Sequence, residues 1–346
     1  MMKHLFGLIG WVCLLTACSS INYLSIDTFN PAEVTFPSSA NKVLIVNHAV
    51  PQPADWGYSY TVDGKVKATQ GAKADSALVD FCQSLGEAMV AEEFFQDVML
   101  YHEPTRTDQH PEYDLKMSAQ QVDSLCEVAG ADLLISLDRL LFESDREETD
   151  LGGGFTVGNI KVRMAGVIRA YLPGRSAPLA TVQIVDSVAW EQSADLAPIL
   201  NELLPTPEEA LRTAGSYLGA KARVNFVPHW QRETRWYFSA SGALWKEAAA
   251  YAANERWEKA EERWNRLWQS AKGWKSQAQA ASNLALCEEM KGDLQKAHEW
   301  ATTSYELFKQ KVGEEDQQTQ LLELYVKALT ERIRSDQKLD VQIGKE

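Results

Sequence analysis

Gly130-Ala131-Asp132-Leu133-Leu134-Ile135-Ser136-Leu137 follows a helical stretch and is apolar almost throughout after Asp132. A short continuous apolar run bounded by turn residues reads as a fully buried strand. Lys42-Val43-Leu44-Ile45-Val46-Asn47 has the same character, and Val98-Met99-Leu100-Tyr101 supplies another strand between the two. Around these three runs the rest of the first 240 residues falls into place.

Asp75 to Glu93 carries Leu78, Phe81, Cys82, Leu85 and Met89 at spacings of three and four, which predicts an amphipathic helix. Ser118 with Gln121 forms a capping box for a second helix, which Gly130 closes. Ile160–Ile168 and Leu179–Asp186 are alternating runs separated by Pro173-Gly174, an antiparallel hairpin. Asp63-Gly64 predicts a smaller hairpin between Tyr58–Val62 and Lys65–Lys67. Thr206-Pro207 with Glu209 opens a further helix that runs to about Phe226. Strand, helix, strand, helix, strand, hairpin and helix make one mixed sheet covered by helices, over residues 42–240. The glycine-led entry into the strand at Ala131 and this order of elements resemble bacterial envelope domains. These are the amino-terminal domain of the Tol–Pal translocation protein and the curli-secretion type of lipoprotein domain, and the resemblance carries no catalytic residues.

The chain has 346 residues, 45% hydrophobic and 24% charged, an ordinary globular composition that excludes long disorder. Two domains fit this length. Lys and Arg number 34 against 48 acids, a net charge of −14, which opposes binding to phosphate backbones or anionic membranes by charge alone. Five cysteines are too few for a disulfide scaffold. Cys82 and Cys126 fall on predicted helices of one domain, where they either pair or stay as buried thiols.

Lys3 and His4 precede the apolar stretch Leu5–Leu15, and small residues follow, the anatomy of a secretory signal over residues 1–17. Eleven helical residues reach roughly 16 Å, far less than a bilayer core of roughly 30 Å. Leu15-Thr16-Ala17-Cys18 resembles the bacterial lipobox. That resemblance implies cleavage before Cys18, acylation of its thiol and of the new amino terminus, and a permanent lipid anchor. Ser19 after the cysteine resembles an outer-membrane sorting signal, and no acidic export run follows, which implies a periplasmic face. Residues 18–41 read as a tether, of which Ile21, Tyr23 and Ile26 add a short strand to the sheet.

From Ser241 onward proline is absent, and six of the eleven tryptophans lie there. Alternating charges over apolar stripes predict packed amphipathic helices. Two segments align on Ala260 and Ala297, with Gly292-Asp293 as an inter-helix turn, and resemble the tetratricopeptide repeat. The spacing is 37 residues rather than 34, the terminal prolines are missing, and Glu288 stands where an aromatic is usual. Residues 241–313 are thus read as two repeats and 314–346 as a capping helix and tail.

Taken together, lipobox, mixed sheet and carboxyl-terminal helical pairs resemble a family of uncharacterised bacterial lipoproteins recognised by their repeats. The resemblance implies an α+β architecture and an envelope location, and no activity. A nucleophile elbow, a phosphate-cradling loop and a helical metal pair are all missing from the sequence. His102 and His110, with Glu103 or Asp108, read as a surface loop rather than a zinc site. The acids Glu147–Asp150 before Gly152-Gly153-Gly154 read as a hairpin tip, not a calcium loop. The expectation is a non-enzymatic protein without cofactors, tethered to the outer membrane, which holds an envelope protein or peptide on its helical surface. Helical phase assigns that contact to Lys246, Ala250 and Asn254 in the first repeat and to Gln277, Ala280 and Ala281 in the second. The alternative is a small-molecule or glycan site between the domains, near Trp56, Tyr58 and Tyr60.

Overall fold

A computed structural model describes residues 20–68 and 71–344. They form an α+β protein of two compact units. One is Asn30–His229 with residues 339–344; the other is residues 20–29 with Trp230–Lys338.

The first unit is built on a seven-stranded mixed sheet. Strand β2 (Lys42–Asn47) lies between β5 (Asp97–Tyr101) and β6 (Leu133–Asp150), parallel to both. Alternate residues of β2 face opposite ways. Val43 and Ile45 pack against α1 (Asp75–Ala91), whereas Leu44 and Val46 pack against α2 (Ala119–Ala129). The capping boxes at Ser118 and at Thr206, which opens α4 (Pro207–Ala222), form as the residue types dictate, and Gly130 ends α2 at φ 66°. Strand β3 (Tyr58–Val62) and its short hairpin partner β4 (Lys65–Val66) sit beyond β2 along the same edge of β6. On the other edge, β7 (Thr156–Tyr171) and β8 (Ala180–Ala194) run antiparallel to β6 and to each other. A short helix, α3 (Ala197–Leu203), precedes α4. The acids Glu147–Asp150 belong to β6 rather than to the hairpin tip, which is confined to Leu151–Phe155. Glu148 is buried and paired with Arg146 at 2.6 Å.

Helices α1 and α4 meet backbone to backbone. A Cβ on Gly215 would lie 2.4 Å from the Ala77 carbonyl oxygen, and one on Gly219 would lie 2.2 Å from that of Phe81. Cys82 on α1 and Cys126 on α2 are buried free thiols on opposite faces of the sheet, which keeps them from pairing. Burial pushes the Cys82 thiol up to about 12 and that of Cys126 to about 11, so neither is a ready nucleophile.

The second unit holds five helices: α5 (Ala243–Ala252), α6 (Trp257–Ser270), α7 (Trp274–Lys291), α8 (Leu294–Val312) and α9 (Gln317–Gln342), the last belonging here through Lys338. From α5 to α8, sequence neighbours pack together. Ala260 and Ala297 are fully buried between them, and Gly292 caps α7 at φ 87°. Two strands complete the unit. The strand expected at Ile21–Ile26 of the tether forms β1 (Ser20–Asn30), and residues assigned to the sheet domain form β9 (His229–Ser239). They pair with each other in a separate two-stranded ribbon, not with the large sheet.

The close α1–α4 approach makes Gly219→Ala a clear test. Ala in a helix gains about 1 kcal/mol over Gly, but overpacking against a backbone oxygen costs about 1–3 kcal/mol. The variant is expected to melt several degrees below the parent in a thermal scan.

Candidate functional site

The carboxyl ends of β2 and β5 are neighbours in the sheet, yet their chains leave in opposite directions. After Asn47 the chain leads to α1 on one face, and after Tyr101 it leads to α2 on the other. Such a point opens a crevice between the two departing loops, the usual ligand position in sheets with parallel strands. Here the cavity measures about 610 Å³ and opens between the loop after β2, the amino-terminal half of α1 and the loop after β5. Val50, Pro51, Leu78, Val79 and Pro104 make its apolar wall, and Asn47, Asp75, His102 and Arg106 supply polar groups. The volume suits a small organic molecule.

The loop after β5 is held by several ties. Arg106, its side chain buried, donates to both carboxylate oxygens of Asp108 at 2.8 and 2.7 Å and to the carbonyl of His110 at 3.2 Å. The Arg106 hydrogen bonds hold the Asp108 carboxyl down at about 2. Asp114 accepts from Arg169 of β7 at 2.8 Å, and the Met117 amide donates to the Tyr171 hydroxyl at 3.2 Å. Arg169 also donates to Asp138, a fully buried residue at the bulge in β6, which accepts a second bond from Ser136. Burial raises the Asp138 carboxyl, while the bonds from Ser136 and Arg169 oppose that rise.

Behind the crevice, His48 ties the two loops together. The Thr105 hydroxyl donates to the Asn47 carbonyl at 3.1 Å, so it accepts from His48 Nδ1 at 2.7 Å. That arrangement places the ring proton on Nδ1. Burial lowers the His48 pKa to about 4, with a further push from Arg106 and Arg169. Among the described residues no group of three or more His, Cys, Asp or Glu is placed to hold a metal ion.

The aromatics read as a ligand site do not line this crevice. Trp56 is exposed in the turn before β3. Tyr58 is packed against the core with its hydroxyl on the Ala72 carbonyl at 3.5 Å, and burial raises its pKa to about 12. Tyr60 lies beneath the Arg146 guanidinium, 5.3 Å away. Sequence reasoning passed over Arg106, Thr105 and His48; the visible signal was the dense Pro, His and Asp composition of residues 102–114.

The helical surface also differs from expectation. Lys246, Ala250 and Asn254 are exposed, and Asn254 donates to the Ala250 carbonyl at 2.7 Å. Gln277 is half-buried, whereas Ala280 and Ala281 have no exposed surface and are packing residues, not partner contacts. From Ala278 to Glu289, α7 is buried all round, because α6 and α8 pack on it and the chain's own β9 bonds to its remaining side. Asn283 accepts from the Phe238 amide and donates to the Phe238 carbonyl, both at 2.7 Å. Glu289, fully buried, takes bonds from Arg235, Arg332 and the Tyr325 hydroxyl. Six helical residues rise about 9 Å and three strand residues about 10 Å, so the two contacts keep step.

The family described as Domain of unknown function (DUF8603) matches residues 40–238. The chain belongs to it. The crevice lies wholly inside the DUF8603 stretch, and a second family, Domain of unknown function (DUF6340), matches residues 246–331 in the helical unit. No curated protein matches the chain. Among solved structures, a minor lipoprotein from Acinetobacter baumannii is 12% identical, covering 56% of this chain and 97% of that one at a TM-score of 0.23. Cys18 lies outside the described residues, and among those described no helix is long and apolar enough to cross a membrane.

Because His48 stays neutral in the fold and protonates near 6.5 when unfolded, the unfolded chain binds more protons between those values. Stability is therefore complete above about pH 6.5 and falls as the pH drops toward 4. Urea unfolding is expected to lose about 2 kcal/mol between pH 7 and pH 5 through this group, and His48→Asn should remove that share of the pH dependence.

Proposed function

We propose that this DUF8603 protein is an envelope lipoprotein that captures a small, largely apolar ligand in the β2–β5 crevice and does not convert it. The observation that carries the reading is the crevice itself, set where two adjacent parallel strands send their chains to opposite faces of the sheet. The charged groups around it favour holding over chemistry. Arg106 and Asp108 are spent on each other, and His48 is engaged with Thr105. A ligand would rest on Val50, Leu78 and Val79 and direct a polar group toward Asn47 or His102.

The anchor belongs to the same reading. Leu15-Thr16-Ala17-Cys18 supports cleavage before Cys18 and acylation there, with the outer membrane, periplasmic side, as the destination. Partner binding through the helical unit is the lesser reading, narrowed to the outward face of α5 at Lys246 and Ala250 and to Asn254 in the turn after it.

Val79 lines the crevice but is 48% exposed, so Val79→Trp fills the space without emptying the core. Thermal-shift screening of the mature chain against amphipathic small molecules is expected to find ligands that raise the melting temperature of the parent and leave Val79→Trp unmoved. Ligands that stabilise both equally, or none at all, would remove the crevice as the site. Mass spectrometry of the native amino-terminal peptide is expected to find acyl chains on Cys18.

A further inference from the structure

The outward face of the β1–β9 ribbon is rich in large aromatics. Along β1, Ile26 and Thr28 turn inward, and Tyr23, Ser25, Asp27 and Phe29 turn outward. On β9 the exposed set includes Trp230, Arg232 and Thr234. Tyr23 is 66% exposed and Trp230 62%, and the Trp230 ring packs on Phe29 with centroids 5.1 Å apart. The acid on this face, Asp27, is paired with Arg232 at 3.2 Å. Aromatic side chains thus stand near both ends of a face whose charge is balanced, the composition of a surface that meets a lipid headgroup region.

Two further observations decide what covers it. Cys18 precedes Ser20 by two residues, so an acyl carrier there sits within about 7 Å of the start of β1. The charge is also divided unequally. Residues 20–29 with 230–338 hold 17 Lys and Arg against 18 acids, a net of −1. Residues 30–229 with 339–346 hold 16 against 30, a net of −14. An anionic bilayer repels the second set and is nearly indifferent to the first.

The geometry points to the β1–β9 face as a bilayer-docking surface: the ribbon lies along the membrane that holds the anchor, with Tyr23, Phe29 and Trp230 in the headgroup region. This rests on acylation of Cys18. The lipid alone would leave the protein free to swing; the aromatic face fixes how it lies.

The test uses the full acylated chain in vesicles of phosphatidylethanolamine and phosphatidylglycerol. An environment-sensitive NBD probe is placed by Tyr23→Cys, Trp230→Cys or Leu324→Cys, the last an exposed position on α9 of the same unit. The three native thiols of the described chain are buried and stay unlabelled in the fold. Probes at 23 and 230 are expected to shift to the blue and to be quenched several-fold more than the probe at 324 by lipids carrying a shallow nitroxide. A probe at 230 quenched no more than the one at 324, in a sample whose mass confirms acylation, overturns the docking surface alone. A native chain found without acyl groups overturns the anchor, and this proposal with it.

Discussion

An eighteen-residue strand is longer than either neighbour on its edge, and β6 therefore meets β2 along its first part and β3 along its second. Between Leu137 and Ser144 it is left facing a loop, and Phe142 would have no ladder partner for its buried amide and carbonyl. Gln52 fills the gap: its side-chain oxygen accepts from the Phe142 amide at 2.7 Å and its nitrogen donates to the Phe142 carbonyl at 3.0 Å. Each group left unmade would cost about 1–3 kcal/mol. Gly57, the next tie in the same loop, comes so near the Phe142 carbonyl that a Cβ would lie 2.4 Å from it. With those contacts fixed, the loop after β2 becomes a wall of the crevice rather than a free connection.

The same substitution of a side-chain amide for a missing strand recurs in both units. Asn283 does it for Phe238, and Gln342 does it for Ala32, accepting from its amide at 2.8 Å and donating to its carbonyl at 2.9 Å. In each case an extended residue is held by its backbone, whatever its side chain. Buried charge plays a complementary part. In the Glu289 group of the helical unit and the Asp138–Arg169–Asp114 chain of the sheet unit, removing one partner would strand a buried charge, a cost that any arrangement failing to bring the partners together would also meet.

Much of the sheet unit is legible because local signals agree with the fold. The capping boxes at Ser118 and Thr206, the Asp63-Gly64 turn and the apolar runs of β2 and β6 all mean locally what they mean globally. The ribbon is only half legible, for the opposite reason: a strand is read at Ile21–Ile26, but its extent and its partner β9 are not. In β1 the apolar Tyr23 and Phe29 face outward and Thr28 faces inward, which erases the period-two pattern. In β9 the inward residue Arg235 is neutralised by Glu289, fifty-four residues away in sequence. Helix α7 misleads similarly, since Gln279, Ser282, Asn283, Glu288 and Glu289 look like a wet face and are all buried. The crevice was hidden because it depends on which face each crossover takes, and apolar patterning does not record that choice.

The sheet unit is inserted within the helical one: β1 leaves the chain early and its partner β9 follows two hundred residues later. Closing so long a loop from an open coil would cost about 5 kcal/mol in entropy. The folded insert removes most of that burden, because its own ends are drawn together where the Val34 amide bonds the Asn225 carbonyl at 2.8 Å. As the chain emerges in order of synthesis, the earliest strand stays unpaired until β9, two hundred residues later, has been made. The β1–β9 ribbon is thereby a contact of high sequence separation, the kind whose closure slows folding.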